Sequence, residues 1–594
     1  MNPETKTCKK CQNDFTVTPE DFVFYEKMHM PAPTFCYECR SRRRMMWRNE
    51  RSLYKRKCQA PGHSEDLITI YAPEKYVVVY DQKYWWSDEW DPTDYGQEYD
   101  FNRPFFEQFK ELFSQVPQLA LSNSNAVNSD YCNVADQSKN CYMALGTYKI
   151  ENLSYVNRAY ESKDSVDVYV SFGNELCYEC VSCSDSYHLL YSRDSVGCRD
   201  SYFLYDCKNC SDCVGCTNLR NAKYCIFNEQ YTKEEYEQKK KELGLDSQAG
   251  LKKVREQFEE LYTKSIHEFA RIAKSVDSTG DNIIDTKNSH WCFDLFGGME
   301  DSKYSHWGGL QAKDLYDAGP GVGDGGELMY DVTDTGIQSA DIAFTNVVYG
   351  SHDVRYSVFC HGSKHLFGCI GVRSQEYCIL NKKYSKEEYE ELIPKIKQHM
   401  MDMPYVDKKG RVYTYGEFFP EETAPMAFNE SIAIDYFPLS KKEAEAYGYP
   451  WREGEKTAPQ ITIKNEYIPD TIEGVDDSIT KEVLECAHKG ACEDNCSVGF
   501  RIIPQELEFY RRLKIPLPTM CFSCRHVSRL KHKKPLRLWK RKCQCAGEHS
   551  DNGKYQNTTQ HQHEGHCPNE FETSYAPDRE EIVYCEQCYN AEVV

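Results

Sequence analysis

Thirty cysteines are spread over 594 residues, and those best placed to do chemistry come as closely spaced pairs. Near the start are Cys8-x2-Cys11 and Cys36-x2-Cys39; near the end are Cys492-x3-Cys496 and Cys521-x2-Cys524. Each pair can form a tight knuckle, and two knuckles close a four-sulfur tetrahedron suited to Zn2+. The sequence shows no apolar leader, so reduced, metal-bound thiols in a cytoplasmic protein are expected rather than disulfides. The segment between the pairs is too small to hold a core of its own. Metal binding would supply on the order of 10 kcal/mol of its folding free energy. Phe15-Thr16-Val17 and Phe22-Val23-Phe24-Tyr25 read as short strands between the knuckles.

The two cysteine regions are copies of one module. From Cys11 to Cys58 the N-terminal copy aligns without a gap on the C-terminal copy at an offset of 485. Phe15 falls on Phe500, Phe24-Tyr25 on Phe509-Tyr510, and Pro33-Thr34 on Pro518-Thr519. The run Cys8, Cys11, Phe15, Glu20, Phe24-Tyr25, Pro33, Cys36, Cys39, Arg40 resembles the probable zinc-ribbon domain family. The second copy departs from it with a longer first knuckle and with Gln505 in place of Glu20. The wider chain is similar to an uncharacterised cysteine-rich family of candidate-phylum bacteria, a resemblance that implies zinc and no activity. Cys545, Cys567, Cys585 and Cys588 occur only in the second copy. Four positions that appear as a set predict the ligands of a third zinc, with Cys543 and Cys58 as packing residues. His549, His561, His563 and His566 are competing ligands. About three zinc ions per chain are expected.

A basic arm follows each second knuckle. Residues 40–57 carry nine Arg or Lys and one acid, and residues 525–542 carry nine and none. The chain has a net charge of −21, so the rest of it is strongly acidic. In the first arm Arg44, Arg48, Arg51 and Lys55 share one face of a presumed helix, beside an apolar face of Met46, Trp47, Leu53 and Tyr54. Such arms suit phosphate contact, which makes RNA or a ribonucleoprotein the expected partner, other proteins being a further class. The candidate contacts are Arg40, Arg44, Arg48, Arg51 and Lys55, and Arg525, Arg529, Lys533, Arg537 and Lys540. Neutralisation of acidic parts of the same chain is the alternative.

Between the modules a short motif recurs in steps of mostly 11 to 13 residues, as in Asp185-Ser186-Tyr187, Asp200-Ser201-Tyr202 and Asp353-Val354-Arg355-Tyr356. A fixed short period with turn formers beside small and β-forming residues predicts a parallel β-solenoid. Residues 215–236 repeat at 368–389, so the solenoid forms two duplicated blocks, each ending in a capping box, Thr232-x-x-Glu235 or Ser385-x-x-Glu388. Cys207-x2-Cys210-x2-Cys213-x2-Cys216 is open to three readings: buried ladders in register with the coils, further zinc, or an iron–sulfur cluster. The Gly-rich stretch 314–334 reads as a loop. Asp324, Glu327 or Asp331 could there serve calcium or a carboxylate pair for sugar cleavage.

The expected class is thus mainly β with α insertions: a parallel β-solenoid in two duplicated blocks, flanked by two zinc-ribbon modules. The boundaries are 1–83 (first module, arm and a hairpin of residues 68–71 with 76–80), 84–125 (aromatic segment and capping helix), 126–231 and 281–384 (solenoid blocks), 232–280 (helical insertion), 385–400 (helix), 401–485 (irregular connector) and 486–594 (second module). No stretch is apolar enough to span a bilayer. The sequence points to a nonenzymatic, zinc-binding scaffold holding RNA. A structural solenoid without nucleic acid and a polysaccharide-acting enzyme are the rivals.

Overall fold

A computed structural model describes residues 2–453, 459–493, 495–547 and 554–594. The chain divides into two compact units. One contains residues 1–122, 270–452 and 536–538, and the other 123–269, 453–535 and 539–594. Each unit therefore joins one cysteine module to the repeat block that is further from it in sequence. The first module lies with the second block, and the second module with the first block.

The repeat blocks are mainly parallel sheet. In the second unit the strands Tyr187–Leu190, Arg199–Tyr202, Ser211–Val214 and Lys223–Ile226 stand side by side, with Tyr187 opposite Arg199, Ser211 opposite Lys223 and Cys213 opposite Cys225. Each step is twelve residues, as it is for the bridges from Arg193 to Tyr205 and from Tyr205 to Thr217. In the first unit His352 pairs with Lys364 and Lys364 with Glu376 at the same step, while Phe293 with His306 and Lys313 with Glu327 span one or two residues more.

Within each twelve-residue step a period of three governs direction. Asp200, Phe203, Asp206, Asn209 and Asp212 all have φ between 44° and 55°, and Gly215 follows at 69°. Left-handed backbone is unfavourable for most L-residues and least so for Asn, Asp and Gly, which is why those types crowd these corners. The corner amides also stack, Asn140 donating to Asn152 at 3.2 Å and Asn152 to Asp164 at 2.7 Å.

One residue after each corner the side chain turns inward. Ser195, Cys198, Ser201, Leu204, Cys207, Cys210, Cys213 and Cys216 are all buried. Small polar residues succeed here because the interior still holds backbone groups. Ser195 Oγ accepts from the Cys207 amide at 3.2 Å, and Ser192 Oγ accepts from the Leu204 amide at 2.9 Å. The thiols behave alike: Cys207 Sγ lies 3.5 Å from the Tyr205 carbonyl and 3.6 Å from that of Cys216. Burial pushes the Cys132, Cys292 and Cys360 thiols up to about 12, so they stay protonated at neutral pH.

Both blocks end alike. The strands Lys223–Ile226 and Glu376–Ile379 turn back in a hairpin, and capped helices Lys233–Glu242 and Lys386–Asp402 follow. The helix Phe105–Gln115 buries Phe105, Phe106, Phe109, Leu112 and Phe113. Phe105 meets Tyr356 and Phe367, so this helix covers the second block rather than the one that follows it in sequence.

Four expectations differ. Residues 22–25 lie in a helix, Pro19–Lys27, because Thr18 and Asp21 form a reciprocal capping box with Pro19 at the first turn. The first-arm helix is only Tyr37–Met45, and Tyr54–Lys57 is a strand. That strand pairs antiparallel with Asp66–Thr69, so residues 68–71 do not form a hairpin with 76–80. Residues 314–334 are mostly strand, Lys313–Ala318 and Glu327–Thr335, around a short loop.

The thiol ladder carries a spectroscopic expectation. The purified protein should show no sulfur-to-iron band at roughly 400 nm. Such a band, abolished in Cys210→Ser, would show that this run holds a cluster.

Candidate metal centres and the basic arms

Cys8, Cys11, Cys36 and Cys39 bring their sulfur atoms within 4.8 Å of one another. The Cys36 amide donates to Cys8 Sγ at 3.3 Å. Cys36 is also the N-cap of the helix Tyr37–Met45, which carries Cys39 in its first turn. Two sulfurs thus sit at a helix N-terminus, where the helix dipole favours thiolates. Hydrogen bonds from Cys36 and Cys39 hold the Cys8 thiol far below its ordinary value, and the contacts of Cys39 with Cys36 and Cys8 push Cys39 far up. Four clustered sulfurs cannot all ionise by themselves, and a dication would allow it.

The second cluster is Cys486, Cys496, Cys521 and Cys524. Cys486 takes the place expected of Cys492. The Cys521 amide donates to Cys486 Sγ at 3.3 Å, as Cys36 does to Cys8, and Ala487 donates to the Thr519 carbonyl as Lys9 does to that of Thr34. Chain length between the first two ligands differs between the copies, and the spacing rule chose the nearer cysteine. Cys492 stands alongside, 3.6 Å from Cys524, in a group with His488.

The third cluster is Cys543, Cys567, Cys585 and Cys588, so Cys543 rather than Cys545 completes it. Its build repeats the other two: the Cys585 amide donates to Cys543 Sγ at 3.2 Å, and Cys585 caps the helix Glu586–Val593. Cys545 joins a separate group with His561, His563 and Cys588. His549 lies outside the described residues. In the first copy Asp81 replaces the capping cysteine and accepts from Cys58 Sγ at 3.5 Å.

The arms begin one residue after the fourth ligand of the first two clusters. Arg40 reaches Asp317 at 2.7 Å, Arg43 reaches Glu417 at 3.0 Å, and Arg44 reaches Asp331 at 2.7 Å. Arg48 pairs with Glu50 at 2.8 Å and Arg51 with Asp435 at 2.7 Å. In the second copy Arg525 meets Glu506 at 3.0 Å and Asp167 at 3.2 Å, and Arg529 meets Asp167 at 2.7 Å. Arg40, Arg44, Arg48, Arg525 and Arg529 are buried. Asp167, Asp317, Asp331 and Asp334 are all left-handed corner residues, with φ between 48° and 57°. Burial pushes Asp167 and Asp317 up, against the pull of the neighbouring guanidinium groups.

Of the remaining candidates, Lys533 is half-buried with its ammonium 3.3 Å from the Tyr169 hydroxyl. Lys55, Arg537 and Lys540 are exposed, Lys55 pairing with Asp66 and Arg537 with Glu38. The expected single helical face does not form, since Arg51 and Lys55 lie beyond the helix end. Aromatic contacts reinforce the docking: Phe24 stacks on Tyr316 at 3.8 Å, Tyr37 on Tyr304 at 4.9 Å, and Phe522 lies 5.2 Å from Tyr155. Asp331 is thereby occupied by arginine, which leaves Asp324 and Glu327 as the exposed carboxylates of that stretch.

No protein-family model, curated protein or solved structure matches this chain. The likeness to zinc ribbons rests on the cysteine pattern and on the clusters it forms. Among the described residues no helix is long and apolar enough to cross a membrane.

Two measurements check this geometry. Cys486→Ser should lose one bound zinc per chain, counted by elemental analysis, while Cys492→Ser keeps it; the reverse would restore the shorter knuckle. Asp167→Ala, which removes the buried partner of Arg529 and leaves Arg525 with Glu506 alone, should cost about 3–5 kcal/mol in denaturant unfolding. Asp66→Ala, at an exposed pair, should change stability little.

Proposed function

We propose that the chain is a zinc-stapled, nonenzymatic scaffold. In each unit the parallel sheets form a β-solenoid of twelve-residue coils, and a zinc-ribbon-like module clamps its side. About three structural zinc ions occupy the three four-sulfur clusters. The arms serve the chain's own acidic coils. The observation that carries this reading is the burial of Arg40, Arg44, Arg525 and Arg529 against corner aspartates. A guanidinium enclosed with a carboxylate is withdrawn from phosphate, because exchanging one anion for the other would leave a buried charge behind.

The reading as a cytoplasmic RNA-binding scaffold then depends on the exposed lysines of matching strands, Lys55 in one unit and Lys540 in the other. The polysaccharide reading has less to support it, since the aspartates nearest the first module are paired with arginine.

Filter retention of single-stranded RNA at low salt tests the choice. Retention should be weak and the same in wild type and in Lys55→Glu/Lys540→Glu. Strong retention that this double variant and added salt both abolish would establish nucleic-acid binding instead. Removing zinc with a chelator should unfold the modules and lower the melting temperature of the whole chain; retention of the native near-UV spectrum in metal-free protein would refute zinc stapling.

A further inference from the structure

Beside the third four-sulfur cluster stands a second set of ligand atoms. Cys545, His561, His563 and Cys588 lie within 4.8 Å of one another, and Cys588 belongs to both sets. Cys545 is fully buried, and the His561 side chain is 1% exposed.

Each imidazole is held by one nitrogen and aims the other at sulfur. His561 Nε2 lies 2.8 Å from the Glu592 carboxylate, which also accepts from the amides of Thr558 and Thr559. The tautomer that satisfies this contact puts the proton on Nε2, leaving a bare lone pair on Nδ1. That Nδ1 is 3.5 Å from Cys545 Sγ. His563 has the opposite arrangement: Nδ1 donates to the Gly565 carbonyl at 3.0 Å, and Nε2 lies 3.2 Å from Cys588 Sγ. Cys545 Sγ accepts from the Asn557 amide at 3.2 Å, as Cys585 Sγ accepts from that of Asn569 at 3.3 Å.

Carboxylate and carbonyl groups behind the outer nitrogens are the usual supports of metal-bound histidines. Each nitrogen lone pair that faces sulfur is met either by a thiol proton or by a metal ion shared between the two atoms, and a metal ion can serve both pairs at once. Two sulfurs and two imidazoles suit zinc or a similarly soft dication. The first copy offers nothing comparable at this place, since Asp81 and Tyr84 stand where Cys585 and Cys588 do.

We propose that the C-terminal module binds a second metal ion through Cys545, His561, His563 and Cys588, the Cys588 thiolate bridging it to the ion of the four-sulfur cluster. Binding releases the Cys545 thiol proton to solvent and leaves both imidazoles neutral. The inference rests on the four-sulfur cluster itself holding zinc.

The full chain, loaded with zinc, should carry about four ions by native mass spectrometry and show zinc–nitrogen bonds by X-ray absorption. His561→Ala/His563→Ala should bind one ion fewer and lose the zinc–nitrogen signal, with the other ions retained. A wild-type count of about three with sulfur ligation alone would overturn the bridged ion and leave the four-sulfur reading standing. A count below three would overturn both. If the double variant does not fold, cobalt replacement in the wild type decides. Spin coupling between two bridged Co2+ ions is expected, and fully independent spins would refute the bridge.

Discussion

A guanidinium buried on a left-handed corner aspartate is the contact on which each unit depends. Removing both charges from water is costly, and a single ion pair offsets that cost only when its geometry is fixed in advance. The four-sulfur clusters supply that fixity. Cys36 and Cys521 cap their helices, and Arg40 and Arg525 are the residues that follow the fourth ligand. Sulfur ligation therefore sets the rotational phase of the helix on which Arg40 and Arg44, or Arg525 and Arg529, project toward the coil. An ion held by these sulfurs would couple metal binding to docking through one turn of helix. Loss of the ion would free the helix start and leave these arginines without alignment.

The coils meet the arms halfway. A corner every third residue costs backbone strain at each non-glycine position, and amide ladders, buried hydroxyls and thiols offset it. The same period explains the cysteine runs. Cys207, Cys210, Cys213 and Cys216 are four consecutive inward positions of the coil, so their two-residue spacing follows from the backbone and needs no cluster. Serine serves equally at such positions because its hydroxyl bonds to the same carbonyls, as Ser192 does to Leu190 at 2.9 Å.

How far the sequence could be read follows from whether its signals are local. The capping boxes at Thr232 and Ser385, the helix after Pro104 and the repeat step depend on neighbours a few residues apart, and they were legible. The helix Pro19–Lys27 was misread as strand from the β-forming run Phe22–Tyr25, although its Thr18–Asp21 capping box is a local signal. Ligand choice is different. Cys486 and Cys543 were missed because the deciding feature is a sulfur that accepts the amide of a cysteine 35 or 42 residues away. Nor could charge runs show that Arg44 or Arg529 would be buried, since their aspartates lie hundreds of residues off in sequence. The one signal available was the excess of acid in the repeats, which suits arms that stay at home.

The two dockings also show what each unit must keep. Tyr155 and Tyr304 occupy the same place under Phe522 and Tyr37, Asp167 and Asp317 under Arg525 and Arg40, and Tyr178 and Tyr330 under Tyr510 and Tyr25. The numerical offset between partners rises from 149 to 152 along this series and reaches 153 at Cys216 and Cys369. Extra residues sit in steps of thirteen and fourteen in the first unit, near Gly309 and Gly321, whose left-handed backbone absorbs them. The spacing has changed while these three contacts to the module are matched. The constraint on these blocks therefore lies at the docked face, where aromatic rings and corner carboxylates must meet a helix whose phase the sulfur cluster sets.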